Sequence, residues 1–273
     1  MIFVILAAAA VIAWLVGAPL YAGRRRREAA RRPFPSAWRA IIERRVPLAR
    51  NLPADLRRQL EQRIQVFLLE KSFIGCDGVA ITDEMRVTIA AQACLLVLNR
   101  RSAPFPNLRQ ILVYPGAFIV ERVRPEPSGV LQEERNALSG ESWTQGQVAL
   151  SWEDALNDAA IADDGRNVVL HEFAHQLDQE KGYANGAPWL GARHRYPRWS
   201  QVLAQEFALL QQAAHSGEPS LFTYYGATHP AEFFAVATEV FFERPVAMAH
   251  IHPALYAELA SLYRVDPVRW PEA

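Results

Sequence analysis

Leu56, Leu60, Ile64, Phe67 and Leu68 recur every three or four positions between polar residues. That is the spacing of one helical face, and it predicts an amphipathic helix over about 54–71. Thr82-Asp83-Glu84 opens a second helix, with Val87, Ile89, Ala90, Cys94 and Leu95 as its apolar positions. Cys94 on that face reads as a small buried hydrophobe. A shorter helix begins at Trp38, Ile41 and Ile42. Ile111-Leu112-Val113-Tyr114 and Ala117-Phe118-Ile119-Val120 read as strands joined through Pro115-Gly116, and 148–152 as a third strand. From about 153 onward the pattern is helical. The fold class that follows is α+β, mainly helical with a small β-sheet, and no internal repeat breaks it.

The first 22 residues have a different pattern. Residues 2–22 carry no Asp, Glu, Lys, Arg or His, and at 1.5 Å per residue such a helix is about 30 Å long, the depth of a bilayer's hydrocarbon core. Arg24, Arg25, Arg26, Arg27, Arg31 and Arg32 follow at once. A secretory signal carries its charge before the apolar stretch, a core helix is seldom followed by six arginines, and an interfacial helix shows a polar face. The order here predicts a transmembrane anchor at 1–22, a basic linker at 23–36 and the main domain at 37–273. Arginines beside the span place that domain on the cytoplasmic side of an inner membrane; without the anchor it would be cytoplasmic outright.

Composition narrows the functional classes. The 273 residues include 29 basic and 29 acidic side chains, a balance that argues against a nucleic-acid partner. Cys76 and Cys94 are too few for a disulfide framework or a four-cysteine zinc site.

The chemistry is concentrated at His171-Glu172-Phe173-Ala174-His175. Histidines four apart on a helix share one face and can converge on one zinc ion. Glu172, one position round, is offset toward the metal's water, where a general base belongs. The motif needs a helix. Asp163, Asp164 and Gly165 precede it, Val169, Phe173 and Leu177 make an apolar stripe, and Lys181-Gly182 closes it, predicting a helix over about 165–181. The bland alternative is a pair of half-buried histidines that happen to be four apart.

Zinc needs a third protein ligand. The elongated motif that would supply a third histidine is excluded, because Asp178 and Lys181 stand where it requires Gly and His. A downstream glutamate is the usual alternative, as in enzymes of the thermolysin type. His229-Pro230 begins a helix that is apolar on nearly every face, and it carries Glu232 and Glu239 seven apart. A carboxylate buried there needs a counter-charge. Glu232 is the expected third metal ligand. Glu239 either orients a ligand histidine or pairs with an arginine. Glu243 and Arg244, at the helix end, are expected to be solvated.

These residues carry a family resemblance. His171-Glu172-Phe173-Ala174-His175-Gln176-Leu177-Asp178 and the stretch from Tyr225 through Pro230-Ala231-Glu232-Phe233-Phe234-Ala235 resemble the Mlc titration factor A (MtfA-like) family of bacterial zinc metallopeptidases. Gly140-Glu141-Ser142-Trp143, Leu112-Val113-Tyr114-Pro115 and Asn167-Val168-Val169-Leu170 resemble it too. The resemblance implies a gluzincin-type domain with one zinc on His171, His175 and Glu232. It implies Glu172 as base and Tyr225 as a catalytic hydroxyl, with Tyr224 beside it as the competing phenol. It also implies aminopeptidase-like action on a peptide or protein substrate, and a transcriptional regulator, the repressor Mlc, as a family partner.

Two functions follow as expectations. The first is a zinc-dependent peptidase in which Glu172 takes a proton from the metal's water and Tyr225 donates to the developing oxyanion. The strand at 148–152 would offer the edge on which substrate pairs, and the loop at 183–197 would border the cleft. The second is a binding protein that sequesters a transcription factor, with peptidase activity secondary.

Overall fold

The computed structural model describes residues 1–100, 104–125, 131–138, 140–143, 146–161 and 163–270, and of residues 2, 4–13, 16, 119–125, 131–138 and 143 the backbone alone. The first helix, α1, runs Ile2–Arg31 and is followed by α2 at Ser36–Arg45 and α3 at Ala54–Glu70. The expected anchor falls largely on side chains outside the described residues. Among the described residues, no helix is long and apolar enough to cross a membrane. Nor does the helix stop at the arginines. It continues through most of the expected linker and rests on α3, burying Ala29 and pairing Arg26 with Glu70.

Strand β1 (Ser72–Gly75) leads to α4 (Asp83–Leu95), capped by Thr82, whose hydroxyl accepts from the Met85 amide at 3.3 Å. From Val87 to Leu95 every side chain of α4 is buried, Cys94 among them, as a helix through the centre of a core requires. Strand β2 (Gln110–Tyr114) follows, then β3 (Phe118–Pro125) and β4 (Leu131–Leu138). The turn at Pro115-Gly116 joins β2 to β3 without pairing them. Instead β3 and β4 form their own antiparallel ribbon, with Phe118 opposite Leu138.

Strands β5 (Gly140–Trp143) and β6 (Gln147–Ser151) complete a four-stranded sheet of order β1-β2-β6-β5. The pairs β1·β2 and β2·β6 are parallel, and β5·β6 is antiparallel. The strand expected as the sheet edge, β6, is therefore interior, with four of its five residues buried. The edges are β1 and β5. Trp152 belongs not to that strand but to α5 (Trp152–Ala160).

The remaining helices are α6 (Val168–Asp178), α7 (Tyr196–Ser216), α8 (Pro230–Glu243), α9 (Pro245–Ile251) and α10 (Pro253–Tyr263). Phe173 of α6 ties the layers together. Its ring centroid lies 5.8 Å from Phe67 of α3 and 4.8 Å from Phe105, in aromatic contacts that fix α6 against the core. Helix α8 is buried from Phe233 to Glu243, with Phe234 edge-on to Trp199 of α7 at 5.9 Å. These two buried helices face each other and carry the candidate chemistry.

Candidate metal centre

The helix carrying the two histidines is shorter than the sequence suggests, and it is capped by Asn167 instead of an aspartate further upstream. The Asn167 Oδ1 accepts from the Leu170 amide at 3.0 Å, and Asp158 accepts from the Val168 amide at 2.8 Å. Two of the amide protons that a helix N-terminus leaves unpaired are thus satisfied. Val169, Phe173 and Leu177 form the buried stripe as expected. That stripe turns His171 and His175 toward α8.

Glu232, in the first turn of α8, meets both rings. Its Oε2 lies 3.1 Å from His171 Nε2 and 3.2 Å from His175 Nε2. One donor atom from each of the three residues falls within a group no wider than 4.8 Å. Two imidazole nitrogens and a carboxylate oxygen are the donor set that zinc takes in a catalytic site. Burial alone would raise the Glu232 pKa, but hydrogen bonds from both histidines and their charge outweigh it and hold the carboxyl well below its usual range. Burial likewise disfavours a charged His171, yet the Glu239 carboxylate and the hydrogen bonds that the ring donates to Glu232 and Glu239 raise its pKa well above the ordinary value. Both shifts favour a negative Glu232 beside a positively charged His171.

Glu239, one turn-pair along α8, bonds His171 Nδ1 at 2.7 Å through Oε1. Its Oε2 accepts from the Asn167 amide at 2.6 Å. Among the described residues it pairs with no arginine. The Asn167 side chain donates in turn to Gln92 Oε1 at 2.7 Å and to Glu243 Oε1 at 3.1 Å. Asn167 therefore caps the histidine helix and braces Glu239, a role its sequence position at a helix start only half announces. Glu243 is not solvated as expected. It is buried, accepts from the Gly165 amide at 3.1 Å, and burial pushes its pKa to about 9.

His175 has no such brace: its Nδ1 is buried without a hydrogen-bond partner among the described residues. Asp178, one turn on, uses Oδ2 to accept from the amides of Asn185 and Gly186, at 2.7 and 2.6 Å. This fastens the loop at 183–197 to the end of α6.

Glu172 is 5% exposed, and its Oε2 has no hydrogen-bond partner among the described residues. Desolvation raises its pKa to about 7, with the histidines opposing and Glu232 and Glu141 adding to the rise. A carboxylate poised near neutrality is what proton transfer in water needs. The edge strand runs directly over it. A Cβ at Gly140 would stand 2.6 Å from Glu172 Cγ, so only glycine lets β5 pass this close. On the next residue of that face, Ser142 Oγ accepts from Gln176 of α6 at 2.7 Å, pinning β5 to the helix.

Tyr225 lies on a 3-10 turn at Tyr224–Ala227, its ring centroid 5.9 Å from that of His171. Tyr224 points elsewhere, its hydroxyl donating to the Glu218 carbonyl. Gly226 between them and α8 is buried; a Cβ there would come within 3.2 Å of Leu210 and 3.3 Å of Val236. The turn is seated on α7 and α8 at that point, which fixes Tyr225 beside the histidine.

Residues 21–264 match the family model described as glucose-regulated metallo-peptidase M90. The chain belongs to this family. Membership implies a metal and a peptide or protein substrate. Among individual relatives, slr2042 of Synechocystis sp. is 42% identical over 259 residues, 94% of each chain. Mlc titration factor A of Pectobacterium atrosepticum is 32% identical over 239 residues, covering 85% of this chain and 86% of its own. The Klebsiella pneumoniae protein of the same name is 33% identical over 230 residues, 82% of this chain and 84% of its own. The resemblance read from the motifs thus extends along most of the chain.

Proposed function

We propose that the chain is a zinc-dependent peptidase whose metal is held by His171, His175 and Glu232. The observation that carries this reading is the convergence of the three donor atoms within 4.8 Å, beside a buried glutamate that is not itself a ligand. A zinc ion there would polarise the scissile carbonyl and lower the pKa of its water. Glu172 would serve as the proton carrier, taking a proton from the attacking water at its carboxylate and passing it to the leaving amine, and its elevated pKa suits both directions of transfer. Tyr225 donates its hydroxyl proton in a hydrogen bond to the oxyanion that forms on the substrate. Glu239 holds the His171 ring through Nδ1, so that Nε2 faces Glu232. An extended peptide pairs with β5, the end strand above Glu172. Action from the amino end of short peptides follows from the resemblance to the Mlc titration factor A family.

The decisive experiment is hydrolysis of a fluorogenic amino-acyl substrate, with and without a chelator, by the whole chain and by Glu172→Gln. The wild type turns over and the chelator stops it. The variant keeps its zinc but loses turnover, because an amide accepts no proton from water. Full activity in the variant would remove Glu172 from the mechanism.

A second reading is favoured by the printed name of the Pectobacterium and Klebsiella relatives, which describes a factor that titrates Mlc. By this reading the chain binds a transcriptional regulator, and hydrolysis is secondary. Retained regulator binding by Glu172→Gln would separate the two roles.

A further inference from the structure

A second cleft, of about 350 Å³, opens beyond the C-terminal end of α6, and its wall is strongly cationic. Arg100, Lys181, Arg195 and Arg264 line it, against a single carboxylate among the described residues, Glu180. That carboxylate is already neutralised by a two-point pair with Arg100, both distances 3.0 Å. Lys181, Arg195 and Arg264 form no ion pair among the described residues. Arg195 is nonetheless held rigidly, donating to the Leu190 carbonyl and to Ser261 Oγ, both at 2.7 Å. Those partners are neutral and leave its charge uncompensated. Lys181, itself exposed, stands with Nζ 4.8 Å above the Trp189 ring, a contact that holds the ammonium beside the cleft. Arg264 sits in the left-handed region, φ 59°, at the end of α10, a position where glycine is the ordinary choice.

Three cations placed by three separate elements around one concave volume, Lys181 and Arg264 exposed and Arg195 half-buried, raise the local positive potential and attract an anion. We propose that this cleft is a binding site for a small phosphate-bearing anion. Its volume fits a small molecule. The guanidinium and ammonium groups supply the charge-assisted donors that phosphate oxygens take. The site also has a route to the metal centre. Its wall from Trp189 to Arg195 belongs to the segment held at Asp178, at the end of the histidine helix. The same segment touches α8: at Gly186, φ 79°, a Cβ would stand 2.6 Å from the Pro230 carbonyl oxygen. An anion closing the cleft therefore braces a strap that joins the helix of His171 and His175 to the helix of Glu232.

The test is titration of the zinc-loaded chain with inorganic phosphate against chloride at constant ionic strength, followed by thermal shift and by amide exchange over 183–195. Saturable binding and slower exchange in that segment are expected. Lys181→Gln/Arg264→Gln, which leaves the Arg195 packing intact, should bind at least about tenfold more weakly. Adding Arg195→Gln should abolish saturation, while Arg58→Gln, an exposed cation on α3, should change nothing. Unchanged affinity in the double variant would overturn the site. So would binding that vanishes when zinc is stripped, since the phosphate would then be sitting on the metal.

Discussion

Glu239 Oε1 lies 2.7 Å from His171 Nδ1, and the other oxygen of the same carboxylate accepts the amide of Asn167, the residue that caps the His171 helix. One carboxylate thus orients the ring and ties down the start of its helix. Glu239→Gln keeps one acceptor but turns an N–H donor toward either the imidazole or the amide. Zinc affinity should fall by about 10–100-fold, measured by competition with a chromogenic chelator, with the fold retained.

Tyr225→Phe should lower kcat by roughly 10²-fold and leave KM nearly unchanged, the pattern of an interaction made only in the transition state. Tyr224→Phe should behave as wild type, since its hydroxyl is spent on the Glu218 carbonyl. Steady-state kinetics of the two variants on one substrate check both. A loss in Tyr224→Phe alone would transfer the role to the neighbour.

Gly140→Ala brings a methyl carbon against Glu172, 2.6 Å from Cγ in the present geometry. Either β5 or Glu172 must shift, and a displaced base costs on the order of 10²-fold in rate. Zinc content should stay at the wild-type level, so metal analysis beside kcat distinguishes this effect from a collapsed site.

Glu243 makes stability depend on pH. Its pKa is about 9 in the folded chain and near the ordinary 4.5 when unfolded. Between those values the folded state holds a proton that the unfolded state has released. Rising pH therefore favours unfolding through this group, at up to about 1.4 kcal/mol per pH unit. The stabilisation is complete below the unfolded pKa and is lost as pH climbs toward 9. Glu243→Gln cannot titrate, so its Tm should fall less than the wild type's between acidic and mildly alkaline buffer. Parallel curves would show that Glu243 is ionised in the folded chain.

Local chemistry was enough to expose much of this protein. The period of Leu56, Leu60, Ile64 and Phe67 marks α3, and Thr82 before two acidic residues marks the start of α4. Proline at the first position after His229 marks the start of α8. The four-residue spacing of His171 and His175 already places both rings on one face, because helical geometry needs no tertiary partner to do so. The apolar surround of Glu232 and Glu239 signals carboxylates that need a positive partner.

Tertiary structure alone decided what lies far apart in the chain. Strand order is not local: β6 has a perfectly good strand pattern, but only the parallel pairing with β2 makes it interior and leaves β5 at the edge over Glu172. The burial of Glu243 depends on Asn167 and Gly165, more than seventy positions earlier, so a residue that ends a helix looks solvated until the two helices are packed. Asn167 shows the limit most clearly. A helix cap is legible from one neighbour, whereas its four-way bonding to Leu170, Glu239, Gln92 and Glu243 exists only where α4, α6 and α8 converge. The residue types of the candidate metal centre were written in the sequence; the groups that orient them were set by which buried polar atoms the folded helices bring within hydrogen-bond reach.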